Sequence, residues 1–166
     1  MDERFLADRA SFREAMSRLG AAVNIITTHG PEGDAGFTAS AVCSVTDDPP
    51  TILVCMNRSS SHYEQFRAAG SFCVNVLGQE QEALSPIFAG KLSMPERFAH
   101  GSWIRLATGA PVLQTAAAAL DCVVSQSVDI GTHSVMFGTV RAIHLGASGS
   151  GLVYHGRAYH KIIAPE

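Results

Sequence analysis

Several signatures of common protein classes are missing from this sequence. Its four cysteines include no CxxC pair, so neither a zinc ribbon nor a redox dithiol is indicated. It has no GxSxG elbow, HExxH motif or phosphate-binding P-loop, and nothing marks an activated nucleophile. The histidines at positions 133, 144, 155 and 160 do not stand at metal-ligand spacings, and we predict no metal site. If the protein is an enzyme, its chemistry therefore belongs to a bound cofactor.

Charge is also scarce and nearly balanced. The chain has 12 Lys and Arg against 15 Asp and Glu, and no basic run of five or more residues, which argues against a nucleic-acid partner. No stretch reaches the ~20 apolar residues of a membrane span, and the charged start MDERFLADR does not resemble a signal peptide. We therefore expect a cytoplasmic protein with reduced thiols and no membrane partner.

The apolar content is sufficient for one core. Of the 166 residues, 46% are hydrophobic, which predicts a single domain over residues 1–166 that needs no disulfide or structural metal. Apolar neighbours predict that the cysteines are small buried hydrophobic residues. These are Cys43, Cys55, Cys73 and Cys122.

A helical segment is predicted at the start, within residues 1–20. Phe12, Met16 and Leu19 recur with helical spacing after Ser11, a candidate N-cap, and Gly20 ends the pattern. We expect this amphipathic helix to pack as a lid on a sheet.

Strand-like runs make up most of the remaining chain. They cover residues 21–28, 36–46, 50–56, 71–77, 119–130, 133–145, 151–155 and 157–162. Helices are expected at 63–69 and at 79–90, the second bent near Pro86, with a loop over 95–111. Gly131-Thr132 predicts a hairpin, and GASGSG at 146–151 predicts a turn, because its glycines do not follow the dinucleotide-binding order. Many short strands with few helices favour a mainly β fold, an antiparallel barrel or sandwich.

The segment NRSSSH follows one of these strands, the apolar run TILVCM. It comprises Asn57, Arg58, Ser59, Ser60, Ser61 and His62. An arginine, three hydroxyls and backbone N–H groups at a strand-to-helix junction form a donor set for a phosphate. Simple helix capping by Ser59 or Ser60, with Arg58 solvated, explains the same six residues.

The segment GFTASAVCSV combines hydroxyls with small residues. Such a strand lets a flat ring lie close to its backbone, although small residues also simply pack sheets. His133, in GTHS at a predicted strand entrance, is better placed to contact a ligand than to enter the core.

Taken together, several blocks resemble the short-chain flavin reductase family, the reductase components of two-component flavin monooxygenases such as 4-hydroxyphenylacetate hydroxylases. They are GFTASAVCSVTDDPPTILVCMNRSSSHY, FCVNVL, ALSPIFAGK, ERFAHGSW, ALDCVVSQSVDIGTHSVMFGTV and GLVYHGRAYH. With AAVNIITTHGP they span about four fifths of the chain.

This resemblance implies an antiparallel Greek-key split β-barrel of the FMN-binding type and a homodimer. It also implies reduction of FMN or FAD by NADH, with NADPH possible, and a partner monooxygenase that receives reduced flavin. The implied cofactor-binding residues are Thr38, Ala39, Ser40, Cys55, Asn57, Arg58, Ser59, Ser60, Ser61, Asn75, Ser85, Phe88, Gly90, Lys91, Tyr159 and His160. His133 is the implied catalytic residue, beside the nicotinamide. Pro86 and the Tyr154-His155 pair depart from the family pattern.

Two other functions fit the same residues. The second hypothesis is a split-barrel reductase with tightly bound FMN that passes electrons to another acceptor, such as a corrin, a ferric chelate or a redox protein. A non-catalytic flavin- or haem-binding module is the third hypothesis, with His144, His155 or His160 as the haem ligand.

Overall fold

A computed structural model describes residues 6–147 and 149–163. Its helices are α1 (Arg9–Ser17), α2 (Tyr63–Ala69), α3 (Leu84–Ala89) and α4 (Met94–Phe98), with a short 3-10 helix at Gln79–Gln81. Its strands are β1 (Ala21–Ala22), β2 (Asn24–Gly30), β3 (Gly33–Ala39), β4 (Val42–Asp47), β5 (Pro50–Asn57), β6 (Ser71–Val76), β7 (Trp103–Arg105), β8 (Pro111–Leu113), β9 (Ala118–Ile130), β10 (His133–Leu145), β11 (Gly151–His155) and β12 (Ala158–Ile162).

Seven strands form the main sheet, in the order β3-β2-β6-β9-β10-β5-β4, and every neighbouring pair is antiparallel. The edge strands β3 and β4 are consecutive in the chain and joined only by Ser40 and Ala41. The sheet therefore has to curl until its two edges meet, which gives a barrel. Strands β5 and β6 are separated by β9 and β10, a non-sequential order typical of Greek-key sheets. The expected antiparallel, mainly β fold is confirmed.

The core lies on both faces of the central strands. Ile26 and Val74 belong to one buried cluster, and their chain neighbours Ile25 and Cys73 belong to a second. Because successive side chains of a strand point to opposite faces, β2 and β6 are covered on both sides. The first cluster fills the barrel, and the second packs beneath β7, β8 and α3.

A smaller sheet carries the end of the chain across the barrel. Strands β1, β11 and β12 pair in the order β1-β11-β12. The β11–β12 turn consists of Gly156 and Arg157, which both have positive φ angles, 58° and 63°. Two positive φ values are the requirement of a tight type I′ hairpin turn.

Most strand predictions agree with the structure to within a residue or two. The helix predicted at 63–69 and the strand predicted at 133–145 coincide with α2 and β10. The predicted Gly131-Thr132 hairpin joins β9 to β10, with Gly131 at φ 56°. The predicted turn at 146–151 lies between β10 and β11, although Ser148 lies outside the described residues.

Three predicted segments need correction. The single strand expected over residues 36–46 is two strands, because the chain turns at Ser40 and Ala41 to close the barrel. The loop expected over residues 95–111 contains part of α4 and β7, and β8 begins at its end. The helix expected over residues 79–90 divides into the 3-10 helix and α3, in which Pro86 occupies the first turn, where no intrahelical N–H bond is lost.

The N-terminal helix also differs from its prediction. Asp8, and not Ser11, is the N-cap of α1, and the Asp8 carboxylate accepts a hydrogen bond from the Ser11 backbone N–H at 2.7 Å. The helix buries none of its residues, and Phe12 and Met16 are exposed. As a lid it covers little apolar surface within one chain.

The cysteine prediction is correct for two residues and wrong for the others. Cys73 and Cys122 are buried, whereas Cys43 is exposed on β4 and Cys55 is half-buried on β5. Within the described part of the chain, no helix is long and apolar enough to cross a membrane.

Candidate functional site

A cavity of about 200 Å³ opens where the barrel closes. It is lined by Val23, Thr38, Ala39, Ser40, Ser85, Ala89, Tyr154 and Tyr159. The Thr38 hydroxyl donates to the Ser85 carbonyl oxygen at 2.6 Å, and the Ser85 hydroxyl lies 2.8 Å from the Tyr159 hydroxyl. The structure thus joins three of the predicted site residues, from β3, α3 and β12, in one chain of hydrogen bonds.

A larger groove of about 750 Å³ continues from this cavity and shares Ser40 and Tyr154 with it. One wall is α1, with Arg13 and Met16, and the other is formed by β4 and β5. Cys55 lies in this groove, and burial raises the pKa of its thiol. The thiol is therefore neutral near pH 7 and is a packing surface, not a nucleophile.

One face of β5 links the groove to the polar loop that follows it. Residues 51, 53 and 55 are half-buried on this face, whereas Ile52, Val54 and Met56 point into the barrel. Asn57 follows Cys55 on the same face at a distance of ~7 Å. Asn57 also pairs with His133 across the sheet, so both side chains lie on this face.

The loop after β5 is folded by its own polar groups. The Asn57 side-chain oxygen accepts from the Ser59 backbone N–H and from the Ser59 hydroxyl, each at 2.9 Å. The Arg58 backbone N–H donates to the Thr132 carbonyl oxygen at 3.0 Å, which ties the loop to the β9–β10 turn. Between them lies a cavity of about 260 Å³, lined by Asn57, Arg58, Ser59, Gly131 and Thr132.

The donor set of this loop suits an anion. Among the described residues, neither the backbone N–H nor the hydroxyl of Ser61 has a hydrogen-bond partner. The Ser60 hydroxyl is a second donor, since its oxygen accepts only a long 3.4 Å bond from the His62 N–H. Hydroxyls, a backbone N–H and a guanidinium are groups that hold phosphate oxygens.

Arg58 is already engaged with protein atoms. Its guanidinium lies 3.0 Å from the Asp129 carboxylate and donates to the Gly131 carbonyl oxygen at 2.5 Å. The Arg58 side chain is still 41% exposed, so the alternative of a solvated Arg58 agrees with the structure, although the guanidinium is also paired. Capping by Ser59 or Ser60 is wrong, because the N-cap of α2 is His62, which makes no side-chain cap bond.

Two histidines flank this loop. Burial lowers the pKa of His62, as does the positive charge of Arg97, so His62 is neutral near pH 7 and adds no charge for an anion. His133 is exposed, and its Nδ1 lies 2.9 Å from the Thr132 hydroxyl oxygen. The Nε2 atom of His133 is therefore the one available to a ligand.

Two predicted contact residues need correction, since both lie in the core. Asn75 is 0% exposed, and its amide donates to the Ile25 carbonyl oxygen and accepts from the Leu113 N–H. Phe88 is 1% exposed and packs edge-on against Phe98, with ring centroids 5.2 Å apart. Both support the cavity wall from behind and have no free surface for a ligand.

Three further predicted residues lie near the cavities without lining them. Gly90 and Lys91 are exposed just after α3, whose Ala89 lines the smaller cavity. His160 follows Tyr159 on β12 and therefore points to the opposite face of the hairpin, where its Nε2 lies 3.1 Å from the His155 carbonyl oxygen.

Sequence reasoning assigned no role to two residues that shape the site, Asp129 and Arg97, and it noted Tyr154 only as a departure from the family pattern. Tyr154 packs against Tyr159 with ring centroids 5.3 Å apart, a contact set by the register of β11 and β12. Asp129 holds Arg58, and Arg97 binds the segment after α3. Alternation along the strands could have placed Tyr154, but the partners of Asp129 and Arg97 depend on tertiary packing.

Comparisons with known proteins agree on one family. Residues 16–162 match the family model described as flavin reductase like domain. The chain is 59% identical over 157 residues to FMN reductase (NADH) RutF of Variovorax paradoxus, a match that covers 95% of this chain and 87% of that protein.

Solved structures show the same fold. BorF, the flavin reductase component of a bacterial two-component tryptophan halogenase, superposes with a TM-score of 0.87 at 29% identity, over 95% of this chain and all of that one. The styrene monooxygenase flavin reductase of Pseudomonas putida S12 gives 0.82 at 26% identity, over 94% and 99% of the two chains.

Proposed function

The chain belongs to the flavin reductase like domain family, and from this premise we propose that it transfers hydride from NADH to FMN and releases reduced flavin to a partner monooxygenase. The single observation that carries the proposal is the 59% identity, over 95% of the chain, to a protein named for this reaction. The binding-module alternative loses support, since the family and this relative are enzymes.

The proposed flavin site is the surface that runs from the cavity of about 200 Å³, through the groove of about 750 Å³, to the polar loop after β5. Thr38, Ala39 and Ser40 offer small side chains at one end, and Cys55 and Asn57 continue the surface toward the loop after β5. A flat ring system needs such a shallow, largely apolar wall with a few polar groups at its edge. In the described residues the hydroxyls of Thr38, Ser85 and Tyr159 supply that edge.

The flavin phosphate is proposed to bind at the loop after β5. The hydroxyls of Ser60 and Ser61, the Ser61 N–H and the Arg58 guanidinium form the donor set, and the Asn57–Ser59 bonds hold the loop in shape. We also propose that Gly90 and Lys91 contact the flavin. Both are exposed beside the cavity that Ala89 lines, and Lys91 adds a cation.

The protein's part in the reaction is to bind and orient. When both ligands are bound, the nicotinamide supplies a hydride and the flavin ring accepts it. Because no proton has to be removed from either ring, the site needs no general base. We propose that His133 contacts the nicotinamide or the reduced ring through Nε2.

A homodimer is the proposed assembly. Apolar side chains are exposed on and just after α1 and along the β9–β10 hairpin, and a second copy of the chain would cover them. They are Phe12, Met16, Leu19, Val123, Val128, Ile130, Ile143 and Leu145. Sedimentation equilibrium measures the assembly directly, and a mass of one chain at micromolar concentration contradicts it.

The partner is proposed from the neighbours' names. BorF is a component of a two-component halogenase, and the Pseudomonas putida protein is the flavin reductase of a styrene monooxygenase. Both names describe a reductase that serves a separate flavin-using enzyme. We therefore propose that this chain also works with an oxygenase.

The test is NADH oxidation under air by protein stripped of flavin. We expect oxidation that saturates with added FMN and is slower with NADPH. A His133→Asn variant is expected to raise KM for NADH more than KM for FMN. If the protein copurifies with one bound flavin and added FMN does not increase its turnover, the proposal is contradicted. That result favours an electron relay to another acceptor.

A further inference from the structure

Asp129 lies beside the proposed phosphate site and carries a charge of the wrong sign for it. This carboxylate is on β9, and one of its oxygens lies 3.0 Å from Arg58 Nη1. Arg58 is the cation that the proposed function assigns to the flavin phosphate. The described residues thus give this cation an acidic partner before any ligand arrives.

The position of Asp129 is fixed from the other side as well. Ser134, its cross-strand partner on β10, donates its hydroxyl to the second carboxylate oxygen. The Ser134 oxygen also lies 2.7 Å from the Tyr63 hydroxyl, and Ser134 is fully buried. The carboxylate is therefore held in place by a buried neighbour and does not swing freely at the surface.

An acid fixed in this way has two effects on a bound phosphate. It shares the guanidinium of Arg58, so a phosphate has to compete for those hydrogen bonds. It also repels the phosphate, which carries between one and two negative charges near pH 7. Both effects weaken binding of the phosphate and leave the contacts to the flavin ring unchanged.

We propose that Asp129 is a positioning residue that holds Arg58 and limits the affinity for the flavin phosphate, so that flavin remains exchangeable. The inference rests on the proposed function, because it takes the anion to be the phosphate of FMN. A reductase that gives its product to a separate enzyme has to release flavin in each cycle, and a weak phosphate contact serves that release.

The expected change in FMN affinity follows from the solvent exposure of the two charged side chains. The Arg58 and Asp129 side chains are 41% and 53% exposed, so water and salt screen their interaction. Charge pairs in such positions change binding by about 1.5-fold to fivefold. A change in this range is measurable for one flavin, and riboflavin provides the matched ligand without phosphate.

The experiment measures dissociation constants of FMN and riboflavin for purified wild-type protein and an Asp129→Asn variant at low salt. We expect the variant to bind FMN about 1.5-fold to fivefold more tightly and riboflavin with unchanged affinity. The gain should shrink as salt rises, because exposed charges are screened. Asp129→Glu keeps the charge and is expected to bind FMN like the wild type.

Asp47→Asn is the control for net charge, because Asp47 lies at the far end of β5 from Asn57. This variant is expected to bind FMN like the wild type. Weaker binding of both flavins by Asp129→Asn shows that Asp129 only braces the loop and overturns the inference, as does an equal gain for both flavins. Failure of wild-type protein to bind either flavin overturns the proposed function itself.

Discussion

Replacing Arg97 by methionine tests how the segment after α3 is held against the barrel. Arg97 is only 8% exposed, and within the described residues it has no carboxylate partner. Its guanidinium instead donates to four backbone carbonyl oxygens. They belong to Leu92 at 2.8 Å, Phe88 at 2.9 Å, Gly90 at 2.6 Å and Gly36 at 3.2 Å.

The cost of the substitution can be worked out from these contacts. Gly36 and Phe88 are buried, so their carbonyl oxygens lose a partner without gaining water. Each unsatisfied buried group costs about 1–3 kcal/mol, whereas the exposed Gly90 and Leu92 carbonyls rehydrate. Burial lowers the pKa of Arg97, so removal of the charge returns part of the loss. We expect Arg97→Met to reduce the free energy of unfolding by about 2–4 kcal/mol.

Urea unfolding followed by circular dichroism measures this loss. Arg97→Lys keeps the charge but lacks the planar guanidinium. It should therefore lower the free energy of unfolding by less than Arg97→Met does. Arg67→Met removes an exposed arginine paired with Glu64 and should change the unfolding free energy little. A loss below about 1 kcal/mol for Arg97→Met would refute the argument, because it would show that the buried carbonyl oxygens find other partners.

Three further predictions concern stability. Although burial alone would raise it, the hydrogen bonds from Arg105 hold the pKa of Asp34 below its usual range. The stabilisation is therefore complete above the unfolded pKa, near 3.8, and is lost as pH falls through the lower folded pKa. In urea unfolding, wild type should exceed Asp34→Asn by about 1 kcal/mol at pH 7, and the difference should shrink as pH falls below 3.8. A difference that does not shrink with falling pH contradicts this. Gly138→Ala should lower the free energy of unfolding by about 1–3 kcal/mol in the same assay, because the new Cβ would lie 2.5 Å from Phe72 Cζ. An unchanged free energy of unfolding would mean that the core can shift to accommodate the methyl group. Tyr159→Phe removes a hydrogen bond to a buried serine hydroxyl and should lower the melting temperature by about 2–4 °C, and an unchanged melting temperature argues that the bond is replaced by water.

Strand periodicity was sufficient to predict most of the fold. The apolar run of β5 and the strand-forming residues of β9 and β10 are features of local sequence, and most turn residues with positive φ are glycines, with Arg157 as the exception. The break at Ser40 and Ala41 could not be predicted this way, because both residues tolerate a strand. Closure of the barrel, a long-range constraint, turns the chain there.

Prediction of the site was similarly divided. Residues that line cavities, such as Thr38 and Ser85, stand in segments that the family resemblance identified. Asn75 and Phe88 also stand in segments that it identified, but burial assigns them to the core. Asp129 could not be assigned, because its bond to Arg58 crosses 71 residues of sequence and depends on the register of β9, β10 and β5.

Anaerobic reduction of excess FMN tests the central claim most directly. Flavin-stripped protein is mixed with a large molar excess of FMN and a limiting amount of NADH, and flavin absorbance is followed. We expect one FMN to be reduced for each NADH consumed, with many turnovers for each protein chain, because the flavin exchanges freely. Reduction that stops at one FMN per chain, or that does not occur, would contradict a diffusible-flavin reductase.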